Sequence, residues 1–242
     1  GNWLWVQNIG NSNSAVCWDL DVDDGGNISI TGTFENSAIL GSIYLSSYGS
    51  YDIYVAKLNT NGNWLWAKNA GSTDGDQGKG VAIDNSGNVY ITGHYFDTCN
   101  MGANILSHQG GEDWFIAKLD TNGNWVWSTE LYGNHYDVGE GIDVNDNGDI
   151  AVVGYSSYDI YVGNFGWQYP NYRSSTARRI FVATLDNNGS FTSGVYLGSH
   201  TNQDSYAEDV VIDNSGIVTL TGRMDTRLSW KGSWMYAGGA SG

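Results

Sequence analysis

Short apolar runs and polar clusters alternate along this chain with a fixed beat. Runs rich in Val, Ile, Tyr, Phe and Trp are separated by clusters of Gly, Asn, Asp and Ser, which is strand and turn chemistry. No window sustains the spacing of an amphipathic helix. Within 80–130 the pattern predicts strands at about 80–84, 88–95, 113–120 and 124–130. The expected fold class is all-β.

The beat is an internal repeat. "VDDGGNISITG" (22–32) recurs as "IDNSGNVYITG" (83–93), "VNDNGDIAVVG" (144–154) and "IDNSGIVTLTG" (212–222), at offsets of 61, 61 and 68 residues. "YDIYVAKLNTNGNW" (51–64) returns as "EDWFIAKLDTNGNW" (112–125) and, more loosely, as "RRIFVATLDNNGSF" (178–191). "GNWLW" stands at 1–5 and 62–66, and as "GNWVW" at 123–127. Four antiparallel strands per repeat, apolar on both faces, describe the four-stranded blade of a β-propeller, in which twisted sheets pack face to face. About four blade repeats are visible. Strand alternation places Trp64 and Trp66 on one face and Leu65 and Ala67 on the other, with the Trp pairs packing blade on blade.

Two of the three turns in a repeat carry a physical signature. In "DNSGN" and "DTNGN" the Asp side chain caps the turn and the Gly supplies the left-handed residue of a tight hairpin. Gly26, Gly87, Gly148 and Gly216 form one turn column, and Gly62, Gly123 and Gly189 the other. The third connection is long and unequal in length, and specificity on a rigid scaffold resides in such loops. In the third repeat it carries Phe165, Trp167, Tyr169, Tyr172 and Arg173, aromatic faces with a guanidinium, a candidate ligand-binding surface.

"GKGVAIDNSGNVYITG" followed by "GGEDWFIAKLDTNGNWVW" resembles the SBBP family of bacterial β-propeller repeats, over nearly the whole chain. The resemblance implies large secreted or cell-surface bacterial proteins with no shared enzymatic activity. It makes "VAID" the inner strand of a blade, "NVYITG" the second, "DWFIAKLD" the third and "NWLWAKN" the outer one. On that phase the repeats run over about 9–69, 70–130, 131–197 and 198–242, the last incomplete, and 1–8 is the outer strand of a preceding or closing blade. The expectation is part of a larger propeller, and a four-bladed ring clasped by 1–8 is the alternative. Expected partners are further blades of the same protein or neighbouring copies, together with surface glycans or proteins.

Composition narrows the partners. Across 242 residues, 26 acidic and 10 basic side chains give a formal charge of −16, which repels phosphate backbones and anionic lipid. No apolar run approaches the length of a membrane-spanning helix. Cys17 and Cys99 show no metal-ligand spacing, so two free thiols and a disulfide between neighbouring repeats both stay open.

Candidate chemistry is sparse. "DVDDGGN" (21–27) and "NDNGD" (145–149) echo calcium loops but lack the downstream bidentate Glu, and the same positions read "DNSGN" elsewhere. The hairpin reading is therefore preferred; no cofactor is expected, calcium being the weak alternative. His94, His108, His135 and His200 form no ligand motif. Aligning the inner strands puts Trp18, Lys79, Glu140 and Glu208 in one column and Asp21, Ala82, Asp143 and Val211 in another. Trp18, Asp21, Glu140, Asp143 and Glu208 are expected to line a central channel. Paired carboxylates of this kind serve glycoside hydrolysis, but no nucleophile motif, P-loop or dinucleotide motif accompanies them. The favoured reading is a non-catalytic extracellular scaffold or adhesion module; a carbohydrate-binding module comes second and a propeller glycoside hydrolase third.

Overall fold

Seven hairpin turns of one design space the strands. In the first, Asp23 donates its N–H to Asn27 O at 3.0 Å, Gly26 N donates to Asp23 O at 2.8 Å, and Asp23 Oδ1 accepts from Asn27 N at 2.8 Å. The same pair of backbone bonds closes the turns that begin at Asn59, Asp84, Asp120, Asn145, Asp186 and Asp213. The seven turn glycines, Gly26, Gly62, Gly87, Gly123, Gly148, Gly189 and Gly216, have φ between +75° and +83°, a region that costs any other residue strain.

The computed structural model describes residues 1–10, 13–157, 160–162, 177–197, 204–224, 227–230 and 233–236. Every element among them is a β-strand. β1 (Ala15–Val22), β2 (Ile28–Leu40), β3 (Ile43–Leu58) and β4 (Trp64–Ala70) form an antiparallel sheet in chain order. The second sheet runs β5 (Gln77–Ile83), β6 (Val89–Tyr95), β9 (Asp113–Leu119) and β10 (Trp125–Gly133), with β7 (Cys99–Met101) and β8 (Asn104–Leu106) as a separate ribbon in its long connection. β11 (Asp137–Val144), β12 (Ile150–Ser157), β14 (Arg178–Leu185) and β15 (Phe191–Leu197) make the third. β16 (Ser205–Ile212) and β17 (Val218–Met224) make a two-stranded fourth, while β18 (Arg227–Trp230) and β19 (Ser233–Tyr236) pair with each other.

The sheets stack through three apolar cores. Ile53, Val55 and Trp66 of the first sheet meet Val81, Ile83, Val89 and Ile91 of the second. Tyr90, Trp114 and Ile116 then meet Ile142, Ile150 and Val152, and Ala151, Val153 and Ile180 meet Val210 and Ile212. Burial on both faces explains why strands such as "NVYITG" lack polar alternation. No described helix is long and apolar enough to cross a membrane.

Two expectations need correction. The second sheet has five strands rather than four, because β13 (Ile160–Val162) leaves the third repeat and pairs with β10 at Leu131, Tyr132 and Gly133. Trp64 and Trp66 lie on opposite faces: they oppose Leu58 and Lys57, adjacent residues, so Leu65 is the extra residue of a β-bulge that breaks the period of two. Trp64 accordingly joins the core on the outer face of the first sheet and Trp66 the core between sheets. Residues 1–8 carry no strand ladder here; Gly10 bridges Ile39, and Trp5 stands against Gly62 as Trp66 of β4 stands against Gly123. Cys17 and Cys99 are both free, the first exposed and the second buried.

Candidate functional site

Each inner strand carries a bulge at the same place. Register slips between Cys17 and Asp19, Gly78 and Gly80, Gly139 and Gly141, and Ala207 and Asp209 leave Trp18, Lys79, Glu140 and Glu208 as the extra residues. A bulge re-aims its side chain out of the ladder. Here it brings chemistry together across repeats: Lys79 Nζ sits 3.7 Å from the centroid of the half-exposed Trp18 ring. Burial pushes the Glu140 carboxyl up, with Glu112 and Glu208 adding repulsion and Lys79 and Arg178 opposing it.

Arg178 and two tyrosines complete the cluster. The guanidinium carbon lies 4.9 Å from the Tyr155 ring and 5.4 Å from the Tyr206 ring, and Nη1 donates to Tyr206 Oη at 3.1 Å. Asp204 anchors this group, accepting from Arg178 N at 2.9 Å and from Tyr206 Oη at 3.0 Å. Glu112 is raised by burial and eased by Arg178 and Lys79. Behind Lys79, His94 is buried with no partner for Nδ1, and burial holds its pKa down to about 3, so it stays neutral. The cluster thus mixes aromatic faces, two cationic side chains and carboxyls, with Glu112 and Glu208 both acting on Glu140.

The second column does structural work as well. Asp21 Oδ1 accepts from its own strand, at Val22 N, 2.7 Å, and Oδ2 accepts from Ile83 N of the next sheet at 2.7 Å. Asp19 does the same for Leu20 N and Val81 N at 2.8 Å each, and Asp143 Oδ2 takes Ile212 N at 2.7 Å. Gly80 and Ala82 supply no carboxylate of their own, so the preceding repeat provides it. Asp143 is raised, first by burial, then by Asp21 and Asp209; these carboxylates from the first, third and fourth sheets feel one another's charge.

Other assignments fall elsewhere. Phe165, Trp167, Tyr169, Tyr172 and Arg173 lie outside the described residues. In the calcium-like stretches, Asp23 is bonded to Asn27, and Asn145 and Asn147 donate to the carbonyls of Asp213 and Asn214 in the neighbouring turn at 2.9 and 3.0 Å. Among the described residues no three His, Cys, Asp or Glu side chains are arranged to hold a metal. Sequence reasoning missed Glu112, Arg178, Tyr155 and Tyr206, whose strand words give no sign that they meet Glu140. It also missed fully buried carboxyls at the sheet junctions: burial lifts Asp52 to about 7, and Asp76 and Asp113 to about 6.

The second Trp of each repeated word reaches one repeat forward. Trp5, Trp66 and Trp127 donate indole N–H to Thr60 O, Thr121 O and Asn187 O at 3.0, 3.0 and 3.1 Å. Their rings fill the space a Cβ would need at Gly62, Gly123 and Gly189. The stack is thus a chain of like junctions. Residues 65–94 match the SBBP family model, a beta-propeller repeat. The matched stretch begins in β4, ends in β6 and so spans a junction. An uncharacterized WD repeat-containing protein of Acanthamoeba polyphaga mimivirus is 24% identical over 115 residues, 40% of this chain and 8% of that protein. The crystal structure of a protein of unknown function from Bacteroides caccae aligns with 89% of this chain and 56% of its own at 12% identity, with a TM-score of 0.43. The chain spans only part of the length of each.

Proposed function

We propose that the stacked sheets are consecutive blades of a β-propeller that works as a non-catalytic protein-interaction module, a scaffold or adhesion element of a large secreted or cell-surface bacterial protein. The bulge column carries this reading. Leu20, Val81, Ile142 and Val210 keep one aliphatic chemistry in every repeat, whereas Trp18, Lys79, Glu140 and Glu208 change from repeat to repeat. A position lifted out of the ladder is released from packing and can be shaped by a partner. Trp, Tyr and Arg, gathered here as Trp18, Tyr206 and Arg178, are the side chains that anchor protein interfaces. The repeat match and the WD-repeat relative support an interaction module. The acidic composition and the resemblance to secreted repeat proteins support an extracellular setting.

The test compares the chain with its Trp18→Ala and Arg178→Ala variants as immobilised baits for solubilised cell-surface proteins, and on a glycan array. Protein capture that both variants lose is the expected result. A glycan signal lost in the same variants would instead make the patch a carbohydrate site, and glycan hydrolysis abolished by Glu140→Gln would make it an enzyme. Binding that neither substitution alters would sink the reading.

A further inference from the structure

One lysine of the stack is aimed at a carboxamide of the next repeat. Lys118 on β9 is 7% exposed, and its Nζ donates to Oδ1 of Asn187, in the turn between β14 and β15. The hydroxyl of Tyr90, a fully buried side chain on β6, stands 2.9 Å from the same oxygen and 3.0 Å from Asp84 Oδ2. Nζ of Lys118 lies 4.9 Å from the centroid of the Tyr90 ring, which is 6.3 Å from that of Trp127.

The carboxamide is held still. Asp186 N donates to Ser190 O at 2.9 Å and Gly189 N to Asp186 O at 3.0 Å, closing the turn around Asn187, and the Trp127 indole donates to Asn187 O at 3.1 Å. Lys118 and Tyr90 together polarise the side-chain carbonyl and leave the amide nitrogen on the other side of Cγ. The first repeat has a lysine at the same position without this set: Lys57 donates to Gly87 O at 2.8 Å and stands 3.5 Å from Asp23, with Ser29 in place of Tyr90 and Thr121 in place of Asn187. In the third repeat the lysine position is Thr184.

We propose that Lys118 and Asn187 form an intramolecular isopeptide bond that ties the second sheet to the third. The unprotonated amine attacks Asn187 Cγ, one bond beyond the oxygen it touches. Its lone pair makes the new C–N bond while the carbonyl π pair moves onto Oδ1, where the Tyr90 O–H donates to the developing charge. Burial, then Asp84, raises the pKa of Tyr90 and keeps that donor protonated. A proton passes from Nζ to the amide nitrogen, the bond from Cγ to that nitrogen breaks, and the carbonyl re-forms as ammonia leaves. One amine and one primary amide become one secondary amide and one ammonia, with no oxidant or cofactor. Burial pushes the Lys118 amine down, against the pull of Asp84, and so favours the nucleophilic form. The rigid turn and the packed lysine supply the proximity that the same reaction lacks in an unfolded chain.

Intact-mass measurement of the folded chain over days at mildly alkaline pH, followed by peptide mapping, tests this. The expected result is a mass lower by one ammonia and a branched peptide that joins the segment around Lys118 to the segment around Asn187 and resists trypsin after Lys118. Succinimide formation at Asn–Gly sequences such as Asn122–Gly123 also releases ammonia, and the branched peptide tells the two apart. Lys118→Arg should abolish the branched peptide, and so should Asn187→Thr, which follows Thr60 and Thr121 at that turn position. Tyr90→Phe should slow its formation by about 10²-fold. Circular dichroism checks folding; should Lys118→Arg unfold, Asn187→Thr, in an exposed turn, decides alone. A folded wild-type chain that keeps its full mass, or that loses ammonia without a branched peptide, overturns the proposal. So does a branched peptide that persists in Asn187→Thr, that forms as fast in Tyr90→Phe, or that forms as fast in denaturant.

Discussion

Trp66 lies so close to Gly123 of the following repeat that a Cβ built on the glycine would stand 2.7 Å from Cδ2 of the indole. Gly123 has φ of +78°, and so does Gly216, where a Cβ would meet nothing within 4 Å. The two glycines separate strain from collision. Gly216→Val should cost the backbone strain alone, about 1–2 kcal/mol. Gly123→Val should cost distinctly more, and Trp66→Ala in the same chain should narrow the gap. Thermal melts of the four proteins check this; equal losses at Gly123 and Gly216 would show that the ring yields freely.

The carboxylate that bridges two inner strands gives a second expectation. Asp21→Ala strips the acceptor from Ile83 N, a buried amide, and should cost about 1–3 kcal/mol. Asp209 caps only Val210 N of its own strand, so Asp209→Ala should cost less. Urea unfolding of both variants decides between this ranking and one set by strand propensity alone.

Stability should fall as pH rises from about 4 to about 7. Asp52, Asp76 and Asp113 have folded pKa values above the ordinary 3.8, at about 7, 6 and 6. The folded state therefore holds more protons than the unfolded one in that window, and loses that advantage as each group ionises. His94, held down to about 3, opposes the trend below its unfolded value. Asp52→Asn keeps an acceptor for Tyr48 N, which donates to Asp52 Oδ2 at 2.6 Å, and removes one titration. It should raise the melting temperature by a few degrees at pH 8 and change little at pH 4. A variant whose melting curve keeps the full wild-type pH dependence would refute the assignment.

Chelation should leave the fold untouched. The turn carboxylates and amides are spent on hairpin and turn-to-turn bonds, Asp23 on Asn27 and Asn147 on Asn214. Melting with and without a calcium chelator should coincide, and a drop of many degrees would reinstate the calcium-loop reading.

The stacking of repeats was legible because each strand word is bounded by a turn whose Gly and Asp have one conformational use. Bulges were not. Leu65 and Glu140 look like ordinary strand residues, and a slip of one position leaves no mark on composition, so strand alternation places Trp64 and Trp66 on one face where the bulge puts them on opposite faces. The inner column was readable as a column, but what Glu140 meets depends on Arg178 and Tyr155, strands away in sequence and brought near only by stacking. The forward reach of Trp66 to Thr121 was hidden for the same reason: a repeat displays what recurs, and not to which copy each side chain is delivered.

That forward delivery gives the molecule a mechanical polarity. Tension drawn from the N-terminal side meets the seat of Trp5 on Gly62 before any strand ladder. After that, peeling the first sheet away must withdraw Trp66 from Gly123, and peeling the second must withdraw Trp127 from Gly189. Under a pulling force the stack should yield in a sawtooth of discrete events. With a repeat of 61 residues, each tooth releases roughly 200 Å of chain at about 3.4 Å per residue.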